Sequence, residues 1–236
     1  WTLQGHSKAG ERTGFWLHPE KIVLDAGLST YRTPKAVYLT HKHTDHTSSL
    51  PNILSSRSGL RPVYMPEPVL RPLAALQKAI RWLCDGDEEP DTSSALQAQG
   101  CDPHIVEPGT TFKATKTLHV EVLAAYHDTQ SVGYGFSRVK HKLKPEFSNL
   151  PGKEIGALRK AGTQITEEVL VPQLCFFCDS NIRNLRDHDE WRKFPVIVCE
   201  CTGAGSPTPS PHHTSLEDLV PVIQSAPNKQ WILIHT

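Results

Sequence analysis

Three histidines and one aspartate stand within six residues, His41-Lys42-His43-Thr44-Asp45-His46, directly behind the apolar run Ala36–Thr40. That juxtaposition constrains the fold more than any other feature of the chain. Histidine is the commonest metal ligand, and a carboxylate beside it suits zinc. In an extended stretch alternate side chains share a face, so His41 and His43 can grip one ion together. A turn after His43 then carries Asp45 and His46 to the other side of that ion, where a second ion finds ligands ready. Four residues cannot complete two ligand shells. Distant strands must therefore end at the same rim and bring the missing partners.

The chain supplies such strands. Short apolar, β-rich runs recur at Lys21–Asp25, Ala36–Thr40, His119–Ala124, Val171–Phe177, Pro195–Cys199 and Gln230–Ile234. Their brevity argues strand over helix. Between them, Pro66–Cys84 carries Leu70, Leu73, Leu76, Ile80 and Leu83 at helical steps. Ser215–Ser225 is a second helix, with Thr214 or Ser215 as N-cap and Glu217 and Asp218 in its first turn. The acidic interval 85–100 and the proline-rich 206–211 read as loops. The expectation is one mixed α/β domain over residues 1–236, trimmed at both ends. Three residues lie at or just past the end of an apolar run, as the partners must: His127, Asp179 and His235. His119 rivals His127, but it begins a strand rather than ending one.

Composition narrows the partners. Lysine plus arginine equals aspartate plus glutamate at 25 each, so no global field recruits a polyanion or a membrane surface. No apolar run approaches the roughly 20 residues that span a bilayer. Six cysteines do not make a disulfide scaffold, and the chain reads as reduced and intracellular, its compartment unresolved. Cys175-x-x-Cys178 and Cys199-x-Cys201 approach zinc-ribbon spacing. They are embedded in strands, however, where positions i and i+3 face opposite ways, so buried thiols are the preferred reading. Polyanion contact needs a local patch. Arg138, Lys140, Lys142, Lys144, Lys153, Arg159 and Lys160 supply one, seven cations against two glutamates, with His141 able to add to it.

The run at 41–46 is a complete His-x-His-x-Asp-His signature and resembles the metallo-β-lactamase superfamily. Within it the chain is similar to the short-form ribonuclease Z family over nearly its whole length. The stretch from His127 to Gly133-Tyr134 carries the likeness, as do Lys142 to Glu146, Ala161-Gly162, Ile165-Thr166 and Ile234-His235. The resemblance implies an αββα four-layer sandwich, two central mixed sheets flanked by helices. It implies one zinc on His41, His43 and His127, another on Asp45, His46 and His235, and Asp179 bridging both, with manganese or another divalent metal as alternatives. Glu200 and His213 match the family's catalytic elements, His213 as the proton donor to the leaving oxygen. Asp45 would help remove the proton of the attacking water.

The implied activity is that of an endoribonuclease removing the 3′ trailer of precursor tRNA through a metal-bridging hydroxide, with the ions roughly 3.5–4 Å apart. Residues 138–172 would form a shortened basic segment in place of the family's tRNA-gripping arm. The implied partners are precursor tRNA and, as an open alternative, a second copy of the chain, with no membrane. Thr47-Ser48-Ser49 and Cys178 stand where the family usually has glycine, which predicts backbone strain there. Two rivals remain at this level. One is a small-molecule thioesterase or phosphodiesterase of the same fold; the other is a degenerate, non-catalytic RNA- or partner-binding domain.

Overall fold

The computed structural model describes residues 1–30, 32–54, 59–86, 100–202 and 210–236. Apart from residues at their ends, the intervals 85–100 and 206–211 fall outside the described residues. Six strands, β1 (Thr2–Lys8), β2 (Arg12–His18), β3 (Ile22–Ala26), β4 (Ala36–Tyr38), β5 (Arg61–Met65) and β6 (Cys101–Ile105), form one sheet in that order. Six more, β7 (Thr111–Lys113), β8 (Leu118–Tyr126), β9 (Gln130–Leu143), β10 (Thr166–Phe176), β11 (Val196–Glu200) and β12 (Gln230–Ile234), form the other, again in sequence order. Both sheets are mixed. β1 to β3 pair antiparallel and β3 to β6 parallel, while β7 to β10 pair antiparallel and β10 to β12 parallel.

Alternation along the strands sorts the side chains into three apolar layers. Phe15, Leu17, Leu24 and Tyr38 from the first sheet meet Val120, Tyr134, Phe136, Phe176 and Val198 from the second. The intervening Trp16, Val23, Val37 and Val63 point outward and are covered by α2 (Leu50–Leu54) and α3 (Glu67–Asp85) through Ile53, Leu54, Val69 and Leu73. On the far side, Cys175, Phe177, Ile197 and Cys199 pack on Leu185 of α5 (Arg183–Arg186), on Trp191, and on Leu219 and Val222 of α6 (Leu216–Ser225). Two more helices complete the described set, α1 (Thr44–Thr47) and α4 (Gly152–Lys160). The expected four-layer αββα sandwich is the observed one. Among the described residues no helix is long and apolar enough to cross a membrane.

One expectation needs correcting. The stripe on α3 does not run to its end, because Leu83 is 85% exposed while Val69, Leu73 and Gln77 are buried. The basic interval is built into a hairpin. β9 carries Arg138 to Leu143, α4 carries Lys153 to Lys160, and β10 returns beside β9 from the pair Leu143–Thr166 to the pair Tyr134–Phe176. This hairpin brings Glu167 opposite Lys142 and Glu168 within 2.6 Å of Lys113, so its excess of positive charge is smaller than the run 138–160 suggests.

The connections place one rim apart from the other. β4, β8, β10, β11 and β12 all finish on the same edge of the sandwich, where Tyr134 of the second sheet donates to the Leu39 carbonyl of the first at 2.7 Å. β9 starts at that rim and runs away from it. At about 3.3 Å per residue it carries Lys142 about 40 Å from Gln130.

Candidate metal centre

α1 is the turn that the signature requires. His41 to His43 leave β4 extended, with His43 at φ −60°, ψ 148°, and the chain then coils from Thr44. Thr47 Oγ1 donates back to the His43 carbonyl at 2.9 Å and holds that coil. Asp45 sits against Gly27, where any Cβ would collide with the Asp45 carbonyl oxygen, so the first sheet's loop needs a glycine at that approach.

The structure brings His127, Asp179 and His235 to this turn. One set of mutually close ligand atoms comprises His41, His43, His127 and Asp179, and a second comprises Asp45, His46, Asp179 and His235. The Asp179 oxygens face both sets. Oδ2 lies 3.8 Å from His41 Nε2 and 3.9 Å from His127 Nε2, while Oδ1 lies 3.3 Å from His46 Nε2 and 3.2 Å from His235 Nε2. Asp45 Oδ2 stands 3.2 Å from His46 Nε2 and 3.6 Å from His235 Nε2.

Hydrogen bonds behind the imidazoles decide which nitrogen faces inward. His46 Nδ1–H donates to Asp25 Oδ2 at 3.0 Å. His41 Nδ1–H donates at 3.0 Å to the Thr40 hydroxyl, which itself donates to Asp25. His127 Nδ1–H donates to the His212 carbonyl at 3.0 Å, and His235 Nδ1–H to Thr202 Oγ1 at 2.8 Å. Each ring therefore turns a bare Nε2 to the centre. Those of His41, His46 and His235 are buried with no hydrogen-bond partner. Unprotonated nitrogens crowded against two carboxylates need a cation between them, so this donor set fits divalent metal.

The charge states of four of these groups agree with that fit. Burial, then the neighbouring His46, pushes His41 well below the ordinary histidine range, and burial also lowers His127. Burial would raise Asp45, but the His235 and His46 rings beside it hold it well below the usual carboxylate range. Asp179 behaves alike, with burial overcome by His46, His41 and His235. Neutral imidazoles and ionised carboxylates are the forms that bind metal. His46 is the exception: burial opposes its charged form, but Cys178, Asp179, Asp25 and Asp45 around it push it well above the ordinary range, so a bound metal ion would have to displace that proton.

Beside the two sets lies a third arrangement. His213 Nδ1–H donates to Glu200 at 3.0 and 3.1 Å. Glu200 is fully buried at the end of β11, and it accepts from the Ser180 and Thr202 backbone N–H groups. That hydrogen bond to Glu200, outweighing burial, raises the His213 pKa. The His213 ring is 4.9 Å from that of His127 and 5.8 Å from that of His235.

The sequence reasoning missed Asp25, Thr40, Thr202 and Asp128. Asp25 was legible as a carboxylate ending the apolar run KIVLD, where burial demands partners. Asp128 Oδ1 lies 3.0 Å from His127 Nε2 and 3.5 Å from His43 Nε2. The strain expected where glycines are replaced is elsewhere. Among the described residues, the non-glycines with positive φ are Lys21, Asp25 and His235, the last two at 54° and 60° inside the centre. The Cys178 thiol is instead tucked 3.7 Å from His46 Nδ1 and 3.5 Å from Asp179 Oδ1. Among the described residues the paired cysteines form no metal-ligating group with one another. Arg138, Lys140, Lys142, Lys144, Lys153, Arg159 and Lys160 are not near this rim; they occupy the hairpin leading away from it.

No protein-family model matches the chain. It is 26% identical over 242 residues to the tRNase Z TRZ1 of Arabidopsis thaliana, covering 99% of this chain and 84% of that protein. To the chloroplastic tRNase Z TRZ2 of the same plant it is 25% identical over 244 residues, covering 100% and 66%. Among solved structures, a diphosphatase from the PhnP family superposes with a TM-score of 0.63 at 13% identity, covering 99% of this chain and 85% of that one. The short form of human tRNase Z gives 0.60 at 14%, covering 99% and 91%. The metallo-β-lactamase fold protein YhfI of Bacillus subtilis gives 0.57 at 12%, covering 98% and 83%. The sandwich is the metallo-β-lactamase fold.

Proposed function

We propose that this homologue of the tRNase Z proteins is a metal-dependent endoribonuclease that removes the 3′ trailer of precursor tRNA. His41, His43 and His127 would hold one zinc ion and Asp45, His46 and His235 another, with Asp179 shared between them. When bound, such ions supply a water acidic enough to ionise near neutral pH and positive charge against the reacting phosphate. The remaining work belongs to side chains. Asp45, held anionic, accepts the proton of the attacking water. Asp25 fixes the rings of His41 and His46, and Thr202 fixes that of His235. His213 gives a proton to the departing 3′ oxygen, and Glu200 keeps that proton on Nε2 by accepting from Nδ1.

The observation that carries this reading is the His213–Glu200 pair beside the ligand set. An acid held protonated near neutral pH is what an alkoxide leaving group needs. The full-length likeness to two tRNase Z proteins supports precursor tRNA as the substrate. The hairpin from Arg138 to Lys160 would meet the tRNA body through sequence-independent backbone contacts, its β9 cations about 26 to 40 Å from Gln130 at the rim.

Incubation of the purified protein with a 3′-extended precursor tRNA tests this. One cut at the trailer junction, abolished by chelator, is expected. Random degradation, or no cut while a small phosphodiester is hydrolysed, would sink the assignment.

A further inference from the structure

Tyr126 ends β8 immediately before His127, and Arg183 opens α5 four residues after Asp179. The Arg183 guanidinium lies 4.5 Å over the Tyr126 ring. Both are fixed from behind. The Tyr126 hydroxyl meets His188 Nε2 at 2.7 Å, and its carbonyl accepts from the Asn181 N–H at 2.7 Å. Arg183 Nε donates to Asp187 Oδ2 at 2.9 Å, and its backbone N–H donates to Asn181 Oδ1 at 3.1 Å. The side chain is nevertheless 60% exposed, so the plane is ordered on its inner face and open on its outer one.

We propose that the Arg183 plane, backed by Tyr126, is a stacking platform for the base of an unpaired nucleotide next to the cleaved phosphodiester. This rests on the endoribonuclease reading above. Three considerations select a base over a phosphate. Asp187 already matches the charge of Arg183, so the surface offered is a flat face more than a free cation. Guanidinium planes stack on splayed-out bases in single-stranded RNA, tolerating any sequence. The β9 cations Arg138 to Lys142 stand about 26 to 40 Å from Gln130 and do not reach the nucleotides at the metal centre.

The test uses precursor tRNA carrying 2-aminopurine at either nucleotide flanking the junction, with fluorescence read on mixing and cleavage followed in parallel. Stacking predicts quenching by the wild-type protein at one of the two positions. Arg183→Ala should remove the quenching and weaken binding about ten-fold, within the range for one stacked base. Arg183→Lys separates plane from charge. If lysine fails as alanine does, the platform stands; if lysine restores quenching and affinity, the residue acts as a cation and the proposal falls. A wild-type protein that gives no quenching at either position also overturns it. Wild-type quenching without cleavage would instead sink the endoribonuclease reading and leave the platform standing.

Discussion

The two ends of the second sheet solve opposite problems. At one rim His41, His46, Asp179, Glu200 and His235 are almost wholly buried, and most of these side chains are oriented by a hydrogen bond from behind. At the other, Lys140, His141 and Lys142 stand in solvent, and no residue of α4 is buried. Buried groups lose their hydration and must be matched, which fixes their geometry and, at His41, His46 and Asp179, shifts the pKa. Exposed cations give up little, adapt to their partner and are screened by salt. Chemistry therefore sits at the rigid rim, and the basic hairpin can offer only diffuse, replaceable attraction.

Substitutions should reproduce that contrast in descending order. Asp179→Ala removes the carboxylate facing both ligand sets, and turnover of precursor tRNA should drop by about 10³-fold or more. Circular dichroism would separate this from unfolding. His213→Ala should lower kcat by between about 10² and 10⁴, with substrate affinity little changed. A linked pH effect follows. The acid must be protonated, so activity is lost as pH rises through the His213 pKa, which Glu200 raises. Glu200→Gln should move the basic limb of the kcat profile to lower pH, and an unmoved limb would remove Glu200 from that role. Asp25→Asn acts behind the ligands and should weaken metal binding about 10- to 100-fold in a competition titration with a chelating dye. The double substitution Lys140→Ala and Lys142→Ala should be mildest. It should raise KM a few-fold, leave kcat alone and flatten the salt dependence of binding by about two in log–log slope. A large fall in kcat there would break the division between the rims.

The same contrast explains what the sequence revealed. The runs KIVLD and AVYLT announced their strands because burial on both faces makes them continuously apolar, and QWILI announced its own although Leu233 is exposed at the sheet's edge. β5 and β6 went unread because Pro62 and Pro103 argue against a strand, yet they lie in neighbouring register at the sheet's margin. β9 was hidden by Gly133 and Gly135. A Cβ on either would collide with the Phe177 or Phe194 ring, so these glycines mark close packing rather than a turn. At the site, the seven ligand candidates were legible because each follows an apolar run. Thr40 and Thr202 were not, since a residue that acts through another residue leaves no spacing of its own.

The central claim is that seven side chains from the two sheets together hold two divalent ions. Metal content of the purified wild-type protein and of Asp179→Ala, measured by native mass spectrometry, tests it most directly. Two ions on the wild type and one or none on the variant, both folded, is the expected result. A folded wild type that takes up no metal from excess zinc, or a variant that keeps both ions, would contradict it.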